Sequence, residues 1–388
     1  MNEIALGAEH TILGPRSAAA GLRFADGIAA FEAEAWDRLS PGLMSDRGWL
    51  RALEIAADAE ERPRYVALHR DGGLTAAAVC REIRSGASLA SPDHLLLGRL
   101  RRPLGRLGVS FVPCLLVAPH RDFDAVLLGP ARAELLDRLV DHARARKMPL
   151  VFRRVAAADL ELRALLEERG FLVTSDIPIA WMDVTWPDFD GYLEFLRTRS
   201  RSMPSKVRNE IRRCARSGVE IREIADPEPL ADRLHAIAVA HHLRLNPGVP
   251  YPYDRNLLPA LARHLGERCR IHVAFANRRP IAFAVMVHDR GSGHLPFCGF
   301  APEARGSLLY FNLCYYLPVR LAIELGLRRL YGGSLQWRAK ARRGYDFMPT
   351  MLYYRAPGRL RNLVAGPLFR LHRRLSERFK FREVPVGS

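Results

Sequence analysis

The chain has 388 residues, 48% of them hydrophobic and 26% charged, the balance of an ordinary globular protein long enough for two domains with sizeable cores. Its formal net charge of +17 lies entirely in the second half: residues 1–185 carry 24 Lys and Arg against 25 Asp and Glu, and residues 186–388 carry 35 against 17. That excess of +18 suits a polyanionic partner (nucleic acid, a membrane surface or a phosphorylated substrate) or simply solvated arginine-rich faces. The six cysteines are scattered without CxxC or Cys/His zinc spacing, and HExxH, GxSxG and GxxxxGK[ST] are absent, so a disulfide framework, a structural metal and the usual hydrolase and P-loop readings lack their anchors. The N-terminus, MNEIALGAEHTILG, has no basic-then-apolar leader and no apolar run reaches a membrane span, which predicts a cytoplasmic protein with reduced cysteines and no metal.

In chain order, RYVALHRDGGLTAAAVCREI reads as two strands around the turn Asp71-Gly72-Gly73. PCLLVAP follows as a strand, ARAELLDRLVDHARARK as a helix, PLVFRRV as a strand, ADLELRALLEERGF as a helix and IAWMDVTW as a strand. The second half repeats this order. RIHVAFANRRPIAFAVMVHD is a hairpin around Asn277-Arg278-Arg279-Pro280, HLPFCGFAP a strand and SLLYFNLCYYLPVRLAIELG a helix that Pro318 should kink by removing one backbone donor. LRRLYGG then reads as a buried strand, WRAKARRGY as a basic segment and TMLYYRAP as a strand. A period near 200 residues reads as duplication of a mixed α/β unit, not a solenoid, or else as chance similarity of α/β order, with units expected at 1–185 and 186–388.

Hairpin, strand, helix, strand, helix, strand is the order of the GNAT acyltransferase fold, and a tandem pair resembles the Fem-type peptidoglycan-bridge aminoacyltransferases. The stretches that carry the resemblance are RSRSMPSKVRNEIRRCARSGVEI, LLYFNLCYYLPVRLAIELGL and GGSLQWRAKARRGYD, which look like that family's basic helix, central helix and terminal Lys-containing segment. The fold so implied is α/β with mixed sheets in two tandem GNAT-like units. One departure stands out: CoA-using GNAT enzymes carry Gln/Arg-x-x-Gly-x-Gly/Ala before the central helix, and here Pro302 to Leu308 reads PEARGSL, which weakens a CoA donor but leaves Gly306 and Ser307 able to present N–H groups to a phosphate.

The resemblance implies amide formation without a resident cofactor: an amine attacks an activated carbonyl, and aminoacyl-tRNA or acyl-CoA enters as co-substrate. It directs attention to residues 294–316 and 332–343. Asn312 and Tyr316, four apart on the central helix, share a face and are candidates to orient an amine and to donate a proton, although tyrosines in an apolar helix also serve as core. Lys340 is the candidate for stabilising the oxyanion and Arg343 for gripping a phosphate or carboxylate, while the same four cations at 338–343 also fit a solvated helix face. Ser334 and Gln336 could supply hydrogen bonds, Trp337 could cover the site, His294 lies in the same region, and Gly332 and Gly333 would admit a ligand close to the backbone.

Lys206, Arg208, Arg212, Arg213 and Arg216 surround the predicted basic helix and suit tRNA phosphates or plain solvation. The basic amphipathic stretch FRLHRRLSERFKF fits an anionic lipid surface or docking onto the core. Three readings follow: transfer from aminoacyl-tRNA to an amine of a small molecule or peptide; N-acyl transfer from acyl-CoA or an acidic acyl carrier protein; and a non-catalytic RNA- or membrane-binding module.

Overall fold

A computed structural model of the chain describes residues 21–119, 125–334 and 336–383. Asp71 and Gly72 take positive φ (51° and 79°), as do Asn277 and Arg278 (48° and 63°), so both hairpins close through tight turns whose twist matches the flanking strands. The strands in order are β1 (Leu22–Ala25), β2 (Arg64–Arg70), β3 (Gly73–Ile83), β4 (Cys114–Val117), β5 (Leu150–Ala156), β6 (Leu172–Ser175), β7 (Ile179–Asp183), β8 (Glu220–Glu223), β9 (Cys269–Ala276), β10 (Arg279–His288), β11 (Ser292–Phe300), β12 (Arg329–Gly333), β13 (Asp346–Met348) and β14 (Thr350–Arg355). Helices Arg132–Ala145 and Leu160–Glu168 follow β4 and β5, and the second half places the central helix and the short helix Trp337–Ala341 after β11 and β12. The expected duplicated order is present.

Two mixed seven-stranded sheets result, ordered β1-β2-β3-β4-β5-β14-β6 and β13-β7-β12-β11-β10-β9-β8. Each is antiparallel except at one step, β4 with β5 and β11 with β12, where the chain crosses over through a helix. The halves exchange one strand each. β7, from the first half, lies between β12 and β13, and β14, from the second, lies between β5 and β6. The sequence division at 185/186 therefore does not coincide with the division between sheets: alternation marks β7 and β14 as strands, but their partners are fixed only by tertiary packing.

A shared core binds the halves further. Trp49 packs on Phe297 with ring centroids 5.9 Å apart, and helix Arg47–Ala56 lies against helix Leu257–Leu265. The helices approach so closely at Gly48 that a Cβ there would sit 2.4 Å from the His264 carbonyl oxygen. Asp46 caps the first of these helices, accepting from Gly48 N (2.8 Å) and Trp49 N (3.2 Å), and the same carboxylate receives Arg268 from the other half at 2.9 and 3.2 Å.

The central helix runs Leu309–Phe311, widens into a π turn over Asn312–Tyr316 and resumes as Leu317–Glu324. Pro318 has no N–H to offer the Cys314 carbonyl four residues back, so the irregularity expected of this proline takes the form of a wider turn. The C-terminal helix Arg359–Glu383 packs against β6 through Ala365 and Phe369. Among the described residues no helix is long and apolar enough to cross a membrane.

Candidate active site

A cleft of about 950 Å³ opens between the halves. The second half supplies one wall: Cys298 and Phe300 from β11, Arg305, Gly306 and Leu308 to Phe311 at the start of the central helix, Gly332 to Ser334 at the end of β12, Lys340 from the short helix, and His241 and Arg244 from helix Ala231–Leu245. The first half supplies the other, with Glu61, Arg81, His94, Arg153 and Arg154 among its residues.

The four cations at 338–343 divide. Arg338 and Arg342 are exposed, whereas Lys340 is 6% and Arg343 2% exposed, so the segment is not simply a solvated face. Lys340 lines the cleft and donates Nζ to the Gly333 carbonyl at 3.1 Å. Arg343 points away from the cleft into a buried network: Nη2 meets Glu210 Oε2 at 2.7 Å, Nε donates to the Tyr316 hydroxyl at 3.0 Å, and the guanidinium carbon lies 3.9 Å from the centre of the Phe311 ring. Tyr316 donates its hydroxyl to the same Glu210 oxygen, and burial together with that bond pushes its ionisation well above the ordinary range, so it holds its proton.

Asn312 belongs to this network as well. Its Nδ2 donates to the Leu308 carbonyl (3.0 Å) and the Glu210 carbonyl (3.4 Å), tying the central helix to the basic helix Met203–Ala215. Of the sequence candidates, then, Lys340, Ser334 and Gln336 line the cleft, while Asn312, Tyr316 and Arg343 stand behind its wall. Trp337 donates Nε1 to the Ser334 carbonyl at 2.6 Å and shapes the turn. His294, buried on β11, stacks on Tyr331 and meets Ser292 Oγ at 3.2 Å, outside the cleft. The close approach at Gly332 is made by the Tyr345 ring, which a Cβ would meet at 2.6 Å. Lys206, Arg208, Arg212, Arg213 and Arg216 are all exposed on the basic helix, around a buried face of Met203, Val207, Glu210 and Cys214.

The first wall was not read from the sequence. Arg153 donates to Asp176 at 2.7 and 3.0 Å and to the Ala90 carbonyl at 3.2 Å. Burial alone would raise the Asp176 carboxyl, but the guanidinium overrides it and holds the group at about 2. Arg81 pairs with Glu61 at 2.5 Å. The available signal was charge inside apolar strands, Arg81 in AVCREI and Arg153 in LVFRRV, because a buried cation requires a partner. Backbone strain points to the same place: of the non-glycine residues with positive φ among those described, Arg154 (59°), Leu308 (59°) and Gln336 (62°) all line the cleft.

Two half-buried thiols, Cys298 and Cys314, also face the cleft, the second from the π turn. The Cys314 thiol, assisted by His241 and Lys340, pulls the Cys298 thiol well below its ordinary range, while Cys314 is pushed up. Arg244 donates to Nδ1 of His241 at 2.7 Å, which leaves the ring proton on Nε2.

The FemAB-like family, described as peptidoglycan biosynthesis/recognition, matches residues 121–380. Among solved structures the chain is similar to L-PGS from Bacillus licheniformis (13% identity, 87% of this chain and 96% of that one, TM-score 0.53). It is similar also to FemX (11% identity, 85% and 96%, TM-score 0.52). At such identities the likeness is one of fold. No curated protein matches the sequence.

The thiol pair gives a direct prediction. At a pH of about 6, where an ordinary thiol with pKa near 8.5 is protonated, iodoacetamide should alkylate Cys298 ahead of the other five cysteines, and Cys314→Ser should slow it. Peptide mapping by mass spectrometry reads the order; equal labelling of Cys298 and Cys269 would contradict the assignment.

Proposed function

Because the chain belongs to the FemAB-like family of GNAT-fold acyltransferases, we propose that it moves an aminoacyl group from aminoacyl-tRNA to an amine of a small molecule or peptide, forming an amide in the cleft between its halves. The observation that carries this choice of donor is the loop before the central helix. A CoA pyrophosphate needs successive free N–H groups there. Pro302 has none, and the N–H groups of Ala304 and Arg305 are spent on the carbonyls of Ala301 and Pro302 at 3.0 and 3.1 Å, so that Gly306 and Ser307 are left to present N–H groups to a phosphate. A tRNA needs no such cradle, since its phosphates can be met by exposed side chains such as the five cations of the basic helix.

Within the cleft the amine attacks the donor ester carbonyl, whose oxygen gains negative charge as the tetrahedral intermediate forms. The Lys340 ammonium, nearly buried on the cleft wall, is the group that meets this charge. Collapse breaks the ester bond and releases the tRNA 3′-oxygen as its alcohol, with the proton coming from the attacking amine. Arg343, Tyr316 and Asn312 act through the position of Lys340 and of the central helix.

Bulk aminoacyl-tRNA should bind with an affinity that falls on the order of a hundredfold between about 50 and 200 mM salt, as expected when about five phosphate contacts release counterions. Saturable binding of acetyl-CoA or of an acidic acyl carrier protein, with tRNA affinity flat in salt, would assign the donor to the thioester class instead.

Lys340→Ala should lower kcat by on the order of a hundredfold with a smaller change in KM, the signature of a lost transition-state contact. Steady-state kinetics of label transfer from charged tRNA decide it, and full turnover in the variant would remove Lys340 from the chemistry.

A further inference from the structure

The C-terminal helix has two apolar faces. Ala365 and Phe369 point into the core, with Leu352 and Tyr354. Leu360, Leu363, Val364, Leu371 and Leu375 point the other way and are 44% to 74% exposed. At 100° per residue, 360, 364, 371 and 375 form one stripe opposite Phe369, with Arg361 and Arg374 at its two edges and Arg370 beyond Arg374.

A second segment, remote in sequence, has the same character. Helix Arg101–Arg106 and the turn before it tuck Leu97 and Leu104 against the cluster that receives Phe369, where the Phe111 and Phe369 rings lie 5.8 Å apart. Outward it presents Leu100 (61% exposed), Leu107 (78%) and Val109 (42%). Residues 98–109 contain Arg99, Arg101, Arg102 and Arg106, residues 360–376 contain Arg361, Arg370, Arg373 and Arg374, and neither stretch contains an Asp or Glu.

We propose that these neighbouring helices form a surface that docks on an anionic lipid bilayer, with the leucines entering the headgroup region and the arginines meeting lipid phosphates. Two features of the patch select this occupant. A second copy of the chain on a two-fold axis would set the eight arginines of these stretches against one another, with Glu377 the one acid adjoining them in sequence. A nucleic acid would satisfy the arginines but leave the leucines in water. An anionic bilayer meets both, which is the requirement for an interfacial helix. The surface also adjoins the cleft: His94 and Leu95 line it, on the short helix Pro92–Leu96 that leads into the Leu100 segment.

The test is flotation of the full chain with vesicles of phosphatidylglycerol in phosphatidylcholine and with phosphatidylcholine alone. Binding is expected on the phosphatidylglycerol vesicles and weakens with salt. Two neutral pairs of substitutions, Leu363→Gln with Val364→Gln and Leu100→Gln with Leu107→Gln, keep the charge unchanged and should each weaken partitioning by about tenfold or more. Because these side chains are exposed, unchanged thermal melts identify the loss as one of binding. The proposal is overturned by absence of binding to phosphatidylglycerol vesicles or by unchanged binding of both variants. It is overturned equally by a dimer in sedimentation velocity that the substitutions break, which would make a second copy the occupant.

Discussion

A single buried ion pair ties together the basic helix, the central helix and the short helix after β12. Glu210 lies on the inward face of a helix otherwise crowded with cations, and Arg343 reaches it from the end of the short helix after β12. Tyr316 bonds to both, Phe311 covers the guanidinium, and Asn312 fastens the Glu210 backbone to the central helix. Removing one partner of such a pair typically costs about 3–5 kcal/mol, because the other is left charged and buried. Against a total stability of about 5–15 kcal/mol for a domain, that is a large share. Lys340 stands one turn before Arg343, so the pair that anchors the segment also sets where the Lys340 ammonium stands in the cleft.

The exchange of β7 and β14 acts at larger scale. Each sheet is completed by a strand from the other half, so neither can move far without breaking ladder hydrogen bonds, which limits how far the halves can part. The walls differ electrostatically. On the first, Arg81 and Arg153 meet Glu61 and Asp176 within hydrogen-bond distance. The chain's positive excess lies in the second half, which contributes Arg244, Arg305 and Lys340 to the opposite wall.

Local signals reached the fold and stopped short of much of the site. The hairpins were legible because Asp-Gly-Gly and Asn-Arg make turns that need positive φ, and the helices and strands because their apolar periods differ. Strand exchange was illegible, since alternation reports that a segment is a strand and not which sheet receives it. Arg343 illustrates the limit: its chemistry suited a substrate phosphate, but its partner Glu210 lies 133 residues away. A trace of that partner was present, because Glu210 is the only acid in Met203–Ala215 and falls in register with Met203, Val207 and Cys214 on the apolar face. An acid in that register demands a buried cation. Cys298 and Cys314, unremarkable as isolated cysteines, became a pair only when β11 met the π turn.

The dependence of the cleft on Glu210 and Arg343 is tested most directly by a double-mutant cycle in unfolding free energy, using Glu210→Ala, Arg343→Ala and the double variant. Strong coupling is expected, with the double variant losing less than the sum of the singles by about 2 kcal/mol or more, because the second substitution removes the charge that the first had stranded. Single losses that add to within about 0.5 kcal/mol would show that the two residues act independently, and would contradict the claim that this pair anchors the segment carrying Lys340.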